Sequence, residues 1–210
     1  MTKSERARVV AELLAGAYPE AACELDYRDP WQLLVATVLS AQCTDQRVNQ
    51  VTPGLFERWP TPAAMAGAPL DELEQAVRPT GFYRNKARAV REAARALVSR
   101  HGGTLPQDLE ALVELPGVGR KTAKVVLGEA FGLAAGIAVD THVRRVAGRL
   151  GLTRSTDPEA IADELERLVP RSGWVAFSMR MILHGRRVCT ARRPRCGGCP
   201  LEPACAKLGV

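Results

Sequence analysis

The chain has 210 residues, 46% of them hydrophobic and 25% charged, which fits one medium domain or two small ones and excludes a mainly disordered chain. No apolar run approaches the roughly 20 residues of a membrane span, and the first residues lack the continuous apolar core of a signal peptide. The 29 lysines and arginines exceed the 23 acidic residues, giving a net charge of +6. We therefore expect no membrane association, a location in the bacterial or archaeal cytoplasm, and a partner such as nucleic acid.

The spacing of apolar residues predicts an almost entirely helical protein of the all-α class. Prolines and glycines punctuate the chain at intervals that leave helices of about 8 to 17 residues. Residues 31–39 are apolar enough for a buried strand, but the helical setting favours a buried helix. In residues 84–100, one helical face carries Ala87, Val90, Ala94, Leu97 and Val98.

Residues 109–131 predict two helices joined by a tight turn. The turn has the sequence Leu-Pro-Gly-Val-Gly at 115–119, and the second helix begins at about Arg120. Gly117 and Gly119 allow backbone N–H groups to be exposed at a helix N-terminus, which is a site for a DNA phosphate. The pattern is typical of the helix-hairpin-helix of sequence-independent DNA-binding proteins, and an ordinary helix–loop–helix corner is the alternative.

Lys121 lies in the first turn of that second helix, where the helix dipole disfavours a cation. A residue that breaks a local rule without visible compensation indicates a functional site. A neutral lysine amine is a nucleophile that can form a Schiff base, whereas a charged one holds phosphate. Both roles stay open for Lys121, and Lys124, one turn further, is either a phosphate ligand or a like-charged neighbour.

Asp140 precedes the apolar periodicity of the following segment, so we expect it to cap a helix. Capping is compatible with catalysis because a capping carboxylate is held rigidly. His142 follows two residues later. It is either a DNA contact, a residue that orients a neighbour, or an ordinary surface histidine of the helix.

Four of the six cysteines lie near the end of the chain with the spacing C-x6-C-x2-C-x5-C, at Cys189, Cys196, Cys199 and Cys205. Because cytosolic proteins seldom keep disulfides, this cluster indicates metal binding. A single tight loop that supplies four thiolates suits a [4Fe–4S] cluster, and zinc is the alternative. The two other cysteines, Cys23 and Cys43, are predicted to be small apolar residues of the core.

Together these motifs resemble the endonuclease III family of base-excision DNA glycosylases, in the helix-hairpin-helix superfamily. The resemblance extends from about residue 11 to residue 206. It is carried by five motifs in this order: Leu-Ser-Ala-Gln-Cys-Thr-Asp at 39–45, Gly-Phe-Tyr-Arg-Asn-Lys at 81–86, Leu-Pro-Gly-Val-Gly-Arg-Lys at 115–121, Val-Asp-Thr-His at 139–142, and the cysteine cluster.

The resemblance implies a two-lobed, all-helical fold. A six-helix barrel lobe would comprise residues 24–134, with the hairpin at about 108–131. Residues 1–23 and 135–210 would form an iron–sulfur cluster lobe with one [4Fe–4S] cluster. The partner would be damaged double-stranded DNA, bound by a monomer associated with the nucleoid.

The same resemblance implies roles for individual residues. Lys121 would displace an oxidised pyrimidine through an imine, and β-elimination would then nick the strand. Asp140 would assist proton transfer and stabilise positive charge on the sugar. The other implied or inferred DNA contacts are Gln42, Phe82, Gly117, Gly119, Lys124, His142, Arg192 and Arg193.

The sequence departs from the family pattern at three positions. Phe82 replaces a common leucine at the wedge, Cys43 a common alanine, and Lys124 a common asparagine. Cys43 adjoins Gln42 and would make that loop sensitive to oxidation. The alternatives to this function are an adenine- or thymine-mismatch glycosylase without lyase activity and a non-catalytic DNA-binding iron–sulfur protein. Both mismatch families usually lack the hairpin lysine that is present here as Lys121.

Overall fold

The structure, a computed structural model, describes every residue from Met1 to Val210. It consists of eleven α-helices joined by turns, with no β-strand, which confirms the all-α prediction. The helices are α1 (Lys3–Ala17), α2 (Pro30–Leu39), α3 (Asp45–Arg58), α4 (Pro62–Gly67), α5 (Leu70–Val77), α6 (Tyr83–His101), α7 (Leu109–Val113), α8 (Arg120–Phe131), α9 (Thr141–Leu150), α10 (Pro158–Leu168) and α11 (Trp174–Arg187). Short 3-10 helices occur at Arg78–Thr80, Arg171–Gly173 and Glu202–Ala204.

The chain divides into two compact units. One comprises Met1–Cys23 and Ala134–Val210, and the other comprises Glu24–Leu133. Helices α2 to α8 therefore belong to the second of these units, and α1 with α9, α10 and α11 to the first. No helix in either unit is long and apolar enough to cross a lipid bilayer.

Leucine side chains fill the core of the Glu24–Leu133 unit. Helix α2 begins where Asp29 accepts a hydrogen bond from the Gln32 N–H at 2.8 Å, and its apolar sequence is buried nearly throughout, as predicted for a buried helix. The largest fully buried side chains in this unit are Leu33, Leu34, Leu39, Leu55, Met65, Leu73, Leu97, Leu112, Leu115 and Leu127. Burial of each such side chain contributes about 1.5–3 kcal/mol to the stability of the folded protein.

Helix α6 buries one face, as its sequence predicts, but the predicted face is partly wrong. Ala87, Val90, Ala94 and Leu97 are buried. Val98, by contrast, is 39% exposed. In projection along the helix axis, Val98 lies about 20° beyond Ala87, at the edge of the buried stripe, and α6 ends only three residues later.

The other unit is organised around α11, which contacts both α1 and α9. Eight residues of α11 are buried, as expected of a helix enclosed on most sides. Gly185 permits the approach of α9, because a Cβ atom at this position would lie 2.7 Å from the Cβ of His142. Any larger residue at position 185 would push the two helices apart.

Candidate active site and metal centre

The helix-hairpin-helix predicted at residues 109–131 is present as α7, a glycine turn and α8. Gly117 adopts the left-handed conformation with φ of 78°, and Gly119 precedes the first residue of α8. Both glycines are exposed, and no side chain caps the first turn of α8. The N–H groups of this turn lie at the positive end of the helix dipole, where they suit an anion.

The hairpin packs closely against α6. A Cβ atom at Gly117 would lie only 2.6 Å from the Cβ of Ala89. Across the hairpin, the Arg120 guanidinium binds both carboxylate oxygens of Glu110, at 2.9 and 3.0 Å. This surface ion pair contributes little stability, so the close approach of Gly117 to α6 is the stronger constraint on the turn.

Replacing Gly117 with alanine is expected to destabilise the protein by about 2–4 kcal/mol, because the left-handed φ and the overlap with Ala89 both oppose a Cβ atom. Gly132 is a matched control, since its φ is 67° and a Cβ atom added there would meet no other atom within 4 Å. Gly132→Ala should therefore cost only about 1 kcal/mol. Urea unfolding measures both values, and equal losses would show that the hairpin is not held against α6.

Lys121 is the second residue of α8 and is partly exposed. Its side chain is therefore accessible in a turn that no side chain caps. Lys124, one turn further along, is only 8% exposed. That burial leaves little of its side chain for a phosphate, so the predicted DNA contact of Lys124 is not supported.

Asp140 caps α9, as its position in the sequence predicts. Its Oδ1 accepts hydrogen bonds from the N–H groups of His142 and Val143, both at 2.8 Å. The extended segment before it is buried and anchored, since Glu166 accepts from the Ile137 N–H at 2.7 Å and Ser178 Oγ from the Ala138 N–H at 3.0 Å. The position of Asp140 is thus fixed by the anchored residues that precede it and by the cap hydrogen bonds to the residues that follow it.

His142 is half-buried between α9 and α11. Burial lowers its pKa, and its Nδ1 lies 3.1 Å from Nη2 of Arg145. The same arginine donates to the carbonyl oxygens of Cys189 at 3.0 Å and Gly185 at 2.9 Å. His142 therefore takes part in the junction between α9 and the segment that begins the cysteine cluster.

Gln42 and Phe82 lie in two turns of the Glu24–Leu133 unit. Both residues are exposed, Phe82 to 64%. Both also have the left-handed conformation, with φ of 53° for Gln42 and 47° for Phe82. Backbone strain of this kind at non-glycine residues is concentrated at functional sites.

The four C-terminal cysteines line one cavity, together with Arg149, His184 and neighbouring apolar residues. Burial raises the pKa of the Cys199 thiol, and the charges of Cys189, Cys205 and Cys196 raise it further, so the four sulfurs are near neighbours. No three metal-binding side chains converge on a point that would suit one metal ion.

The backbone of the cysteine segment is held by Arg149 of α9. Its Nη1 donates to the Thr190 carbonyl at 2.7 Å and to Cys189 Sγ at 3.4 Å, and its Nη2 donates to the Ala191 carbonyl at 2.9 Å. Arg192 and Arg193, the predicted DNA contacts in this segment, are exposed. Arg149 thus holds the backbone of the segment by hydrogen bonds, and the side chains of Arg192 and Arg193 remain accessible.

A second set of contacts links the cysteines to the N-terminal helix. His184 is 1% exposed, and burial lowers its pKa to about 4, so its ring is neutral at neutral pH. Tyr18 Oη lies 3.1 Å from Nδ1, and Cys199 Sγ lies 3.6 Å from Nε2. With Tyr18 donating to Nδ1, the ring carries its proton on Nε2 and directs it towards the Cys199 sulfur.

The sequence did not predict the supporting roles of Arg145, Arg149 and His184, because their partners lie far away along the chain. The only signal for the arginines is that Arg145 and Arg149 are four residues apart, which places them on one side of α9. The predicted core positions of Cys23 and Cys43 are wrong, since both are partly exposed. Each lies in a turn between helices rather than on a buried face.

Comparison with known proteins agrees with this architecture. The model of the family described as "HhH-GPD superfamily base excision DNA repair protein" matches residues 35–171. An endonuclease III of Synechocystis sp. is 52% identical over 204 residues, covering 97% of this chain and 93% of that one. An endonuclease III of Bacillus subtilis is 46% identical over 189 residues, covering 90% and 86%. The solved structure of a trapped endonuclease III–DNA covalent intermediate superposes with a TM-score of 0.93 at 45% identity, covering 99% and 97%.

The fold and the hairpin site therefore define a base excision DNA repair glycosylase of the helix-hairpin-helix superfamily. Within that superfamily, the chain belongs to the endonuclease III family. The resemblance drawn from the five sequence motifs is confirmed, as is the assignment of the protein as an enzyme. Lyase activity at abasic sites is expected of this family.

Proposed function

We propose that this enzyme removes oxidised pyrimidines from double-stranded DNA and then nicks the strand at the resulting abasic site, with Lys121 as the nucleophile. One observation carries this proposal: a partly exposed lysine stands in the uncapped first turn of α8, beside the N–H groups that suit a DNA phosphate. A phosphate bound there would bring the adjoining sugar close to the amine. The enzyme is proposed to act as a monomer associated with the nucleoid.

The neutral amine of Lys121 would attack C1′ of the damaged nucleotide. The glycosidic bond breaks, the base leaves with the bonding electrons and takes up a proton, and the amine nitrogen loses one. Opening of the sugar ring then gives an imine between Nζ and C1′. Loss of a proton from C2′ expels the 3′ phosphate, and hydrolysis of the imine releases the enzyme.

Asp140 would act as the acid–base partner in these steps. Its Oδ1 is engaged by two N–H groups of the α9 cap, which leaves the second oxygen for the substrate. A carboxylate stabilises positive charge as it develops on the sugar and shuttles protons to and from the sugar oxygen. Because the cap holds the carboxylate in place, no reorganisation is needed when the charge appears.

The DNA contacts would divide into three groups. Gly117 and Gly119 would hold a backbone phosphate, which positions the duplex without reading its bases. Gln42 and Phe82 would enter the duplex at the vacated position, since an exposed aromatic wedge suits kinked DNA. Exposed arginines at the cysteine segment would bind further phosphates; they are Arg192 and Arg193, with His142 as a neighbouring contact.

The cysteine cluster is proposed to hold one [4Fe–4S] cluster through Cys189, Cys196, Cys199 and Cys205. Their shared cavity and mutual charge effects fit one compact group bound by four thiolates. When bound, the cluster would cross-link a segment that has little regular structure of its own. None of the steps at Lys121 transfers an electron. The role proposed for the iron–sulfur cluster is therefore structural.

Borohydride trapping tests the proposed chemistry. A duplex with one thymine glycol is incubated with the protein and sodium borohydride, and an undamaged duplex serves as the control. We expect a covalent protein–DNA adduct with the damaged duplex alone, because borohydride reduces the imine to a stable amine. Base release without an adduct would contradict the lyase mechanism, and tight binding without base release would contradict the choice of lesion.

Replacing Asp140 with asparagine separates its capping role from its chemistry. Asparagine caps a helix as well as aspartate does, so the fold and iron content should be unchanged, while base release should slow by at least about 100-fold. Asp157→Asn is the matched control, since Asp157 caps α10 through the Ala160 N–H. Single-turnover assays compare the two, and equal rates would remove Asp140 from the mechanism.

A further inference from the structure

A buried lysine joins two turns of the Glu24–Leu133 unit. Lys86 lies in the first turn of α6 and is 5% exposed. Its Nζ donates to the Leu39 carbonyl at 2.8 Å and to the Thr80 carbonyl at 2.7 Å. A buried ammonium that satisfies main-chain carbonyls in two separate segments acts as a cross-link between them.

The carbonyls of Leu39 and Thr80 each belong to the last residue of a helical segment. Leu39 is the last residue of α2, where carbonyl groups lack a partner within the helix and the dipole favours a cation. Thr80 is the last residue of the 3-10 helix Arg78–Thr80, and its Oγ1 donates to the Val77 carbonyl at 2.8 Å. Burial lowers the pKa of Lys86, and the nearby Cys43 opposes that shift.

A lysine suits this position for a geometric reason. Its compact ammonium can donate in three directions, whereas an arginine fork donates within one plane and needs more room. The chain has 24 arginines and only five lysines among its 29 basic residues. The use of lysine at this buried site therefore follows from the positions of the two carbonyls.

Each cross-linked carbonyl lies two or three positions before one of the two strained, exposed residues. Gln42 follows Leu39 by three positions, and Phe82 follows Thr80 by two. Both have a positive φ, a conformation that persists only where the surrounding structure holds it. Phe82 is also the N-cap of α6, and its carbonyl accepts from the N–H groups of Asn85 and Lys86, both at 3.1 Å.

We propose that Lys86 is a positioning residue that fixes the turns of Gln42 and Phe82 relative to each other, so that both side chains enter the duplex together during extrusion of the damaged nucleotide. This inference rests on the proposed function, in which these two side chains contact DNA. Lys86 itself is too deeply buried to contact DNA. Its effect should therefore appear only where the enzyme has to open a base pair.

The test compares two substrates in one protein preparation. One duplex carries thymine glycol opposite adenine, and the other carries it in an unpaired bulge, where little extrusion is needed. For each protein, the single-turnover rate on the paired duplex is divided by the rate on the bulged duplex. This ratio does not depend on the fraction of the protein that is folded. For Lys86→Met we expect this ratio to fall at least about 10-fold below the wild-type value, because misplacement of a positioning group has an effect of that size.

A second variant and two controls complete the test. Lys86→Gln keeps an N–H donor group on a shorter side chain, so its ratio should lie between those of wild type and Lys86→Met. Phe82→Ala removes the wedge directly and should lower the ratio. Thr37→Val removes a buried hydrogen bond of 2.8 Å within α2 without touching Lys86, so its ratio should equal that of wild type.

The outcomes separate the two proposals. A wild-type ratio in the folded Lys86 variants, with a lowered ratio in Phe82→Ala, overturns the role of Lys86 alone. A wild-type ratio in Phe82→Ala overturns the wedge and, with it, the role of Lys86. A lowered ratio in Thr37→Val shows that any loosening of α2 has this effect, and also overturns the inference.

Discussion

Replacing Lys121 with alanine is expected to abolish the borohydride-trapped adduct and to lower strand nicking by at least about 1,000-fold, as for loss of a covalent nucleophile. Alanine favours a helix more than lysine does and removes a cation from the positive end of α8. The variant should therefore be at least as stable as wild type. Unchanged thermal unfolding and iron content would show that the loss is chemical.

Lys121→Arg distinguishes the two roles that the sequence leaves open. Arginine keeps the positive charge for a phosphate but does not deprotonate at working pH, so it cannot form an imine. If Lys121 is the nucleophile, the arginine variant should bind damaged duplex DNA and form no adduct. If Lys121 only holds phosphate, the arginine variant should keep nicking near the wild-type rate.

Lys3 provides a matched control for these changes. It is an exposed lysine in α1 that pairs with Glu164 at 3.2 Å. Lys3→Ala should form as much adduct as wild type. An adduct that persists in Lys121→Ala would assign the imine to another amine, and peptide mapping of the reduced adduct would identify it.

Features that depend on neighbouring residues could be predicted from the sequence. The turn at 115–119 and the cap at Asp140 each involve residues within four positions of one another, so local rules for glycine, proline and aspartate apply. Helix α2 is harder to predict from the sequence, because an apolar run suits a buried strand as well as a buried helix. Its Asp29-Pro30 start, an N-cap followed by proline, is the local signal that favours the helix.

Features that depend on distant residues could not be predicted. The Lys86 bond to Leu39 joins residues 47 positions apart, and the Arg149 bond to Thr190 joins residues 41 apart. No local pattern shows that two turns will meet at one ammonium. The composition nevertheless contains a hint, since a rare lysine in an arginine-rich chain calls for a geometric reason.

Replacing Cys199 with serine is expected to lower the bound iron at least about tenfold, because a metal site that loses one of four ligands loses most of its affinity. Few backbone hydrogen bonds hold this segment; they include the Arg195 N–H to Val188 carbonyl bond at 3.0 Å and the Cys199 N–H to Cys196 carbonyl bond at 3.1 Å. Without the cluster, the segment should lose its structure. Iron analysis, visible absorbance and limited proteolysis of the segment measure this.

Cys23→Ser separates ligand loss from a general effect of cysteine replacement. Cys23 is also partly exposed and belongs to the same unit, but it lies outside the cavity that the four cysteines share. It should keep full iron content and resist proteolysis like wild type. Full iron in Cys199→Ser would exclude Cys199 as a ligand. Iron loss in both variants would show a general effect of cysteine replacement rather than loss of a ligand, because Cys23 contributes no sulfur to their cavity.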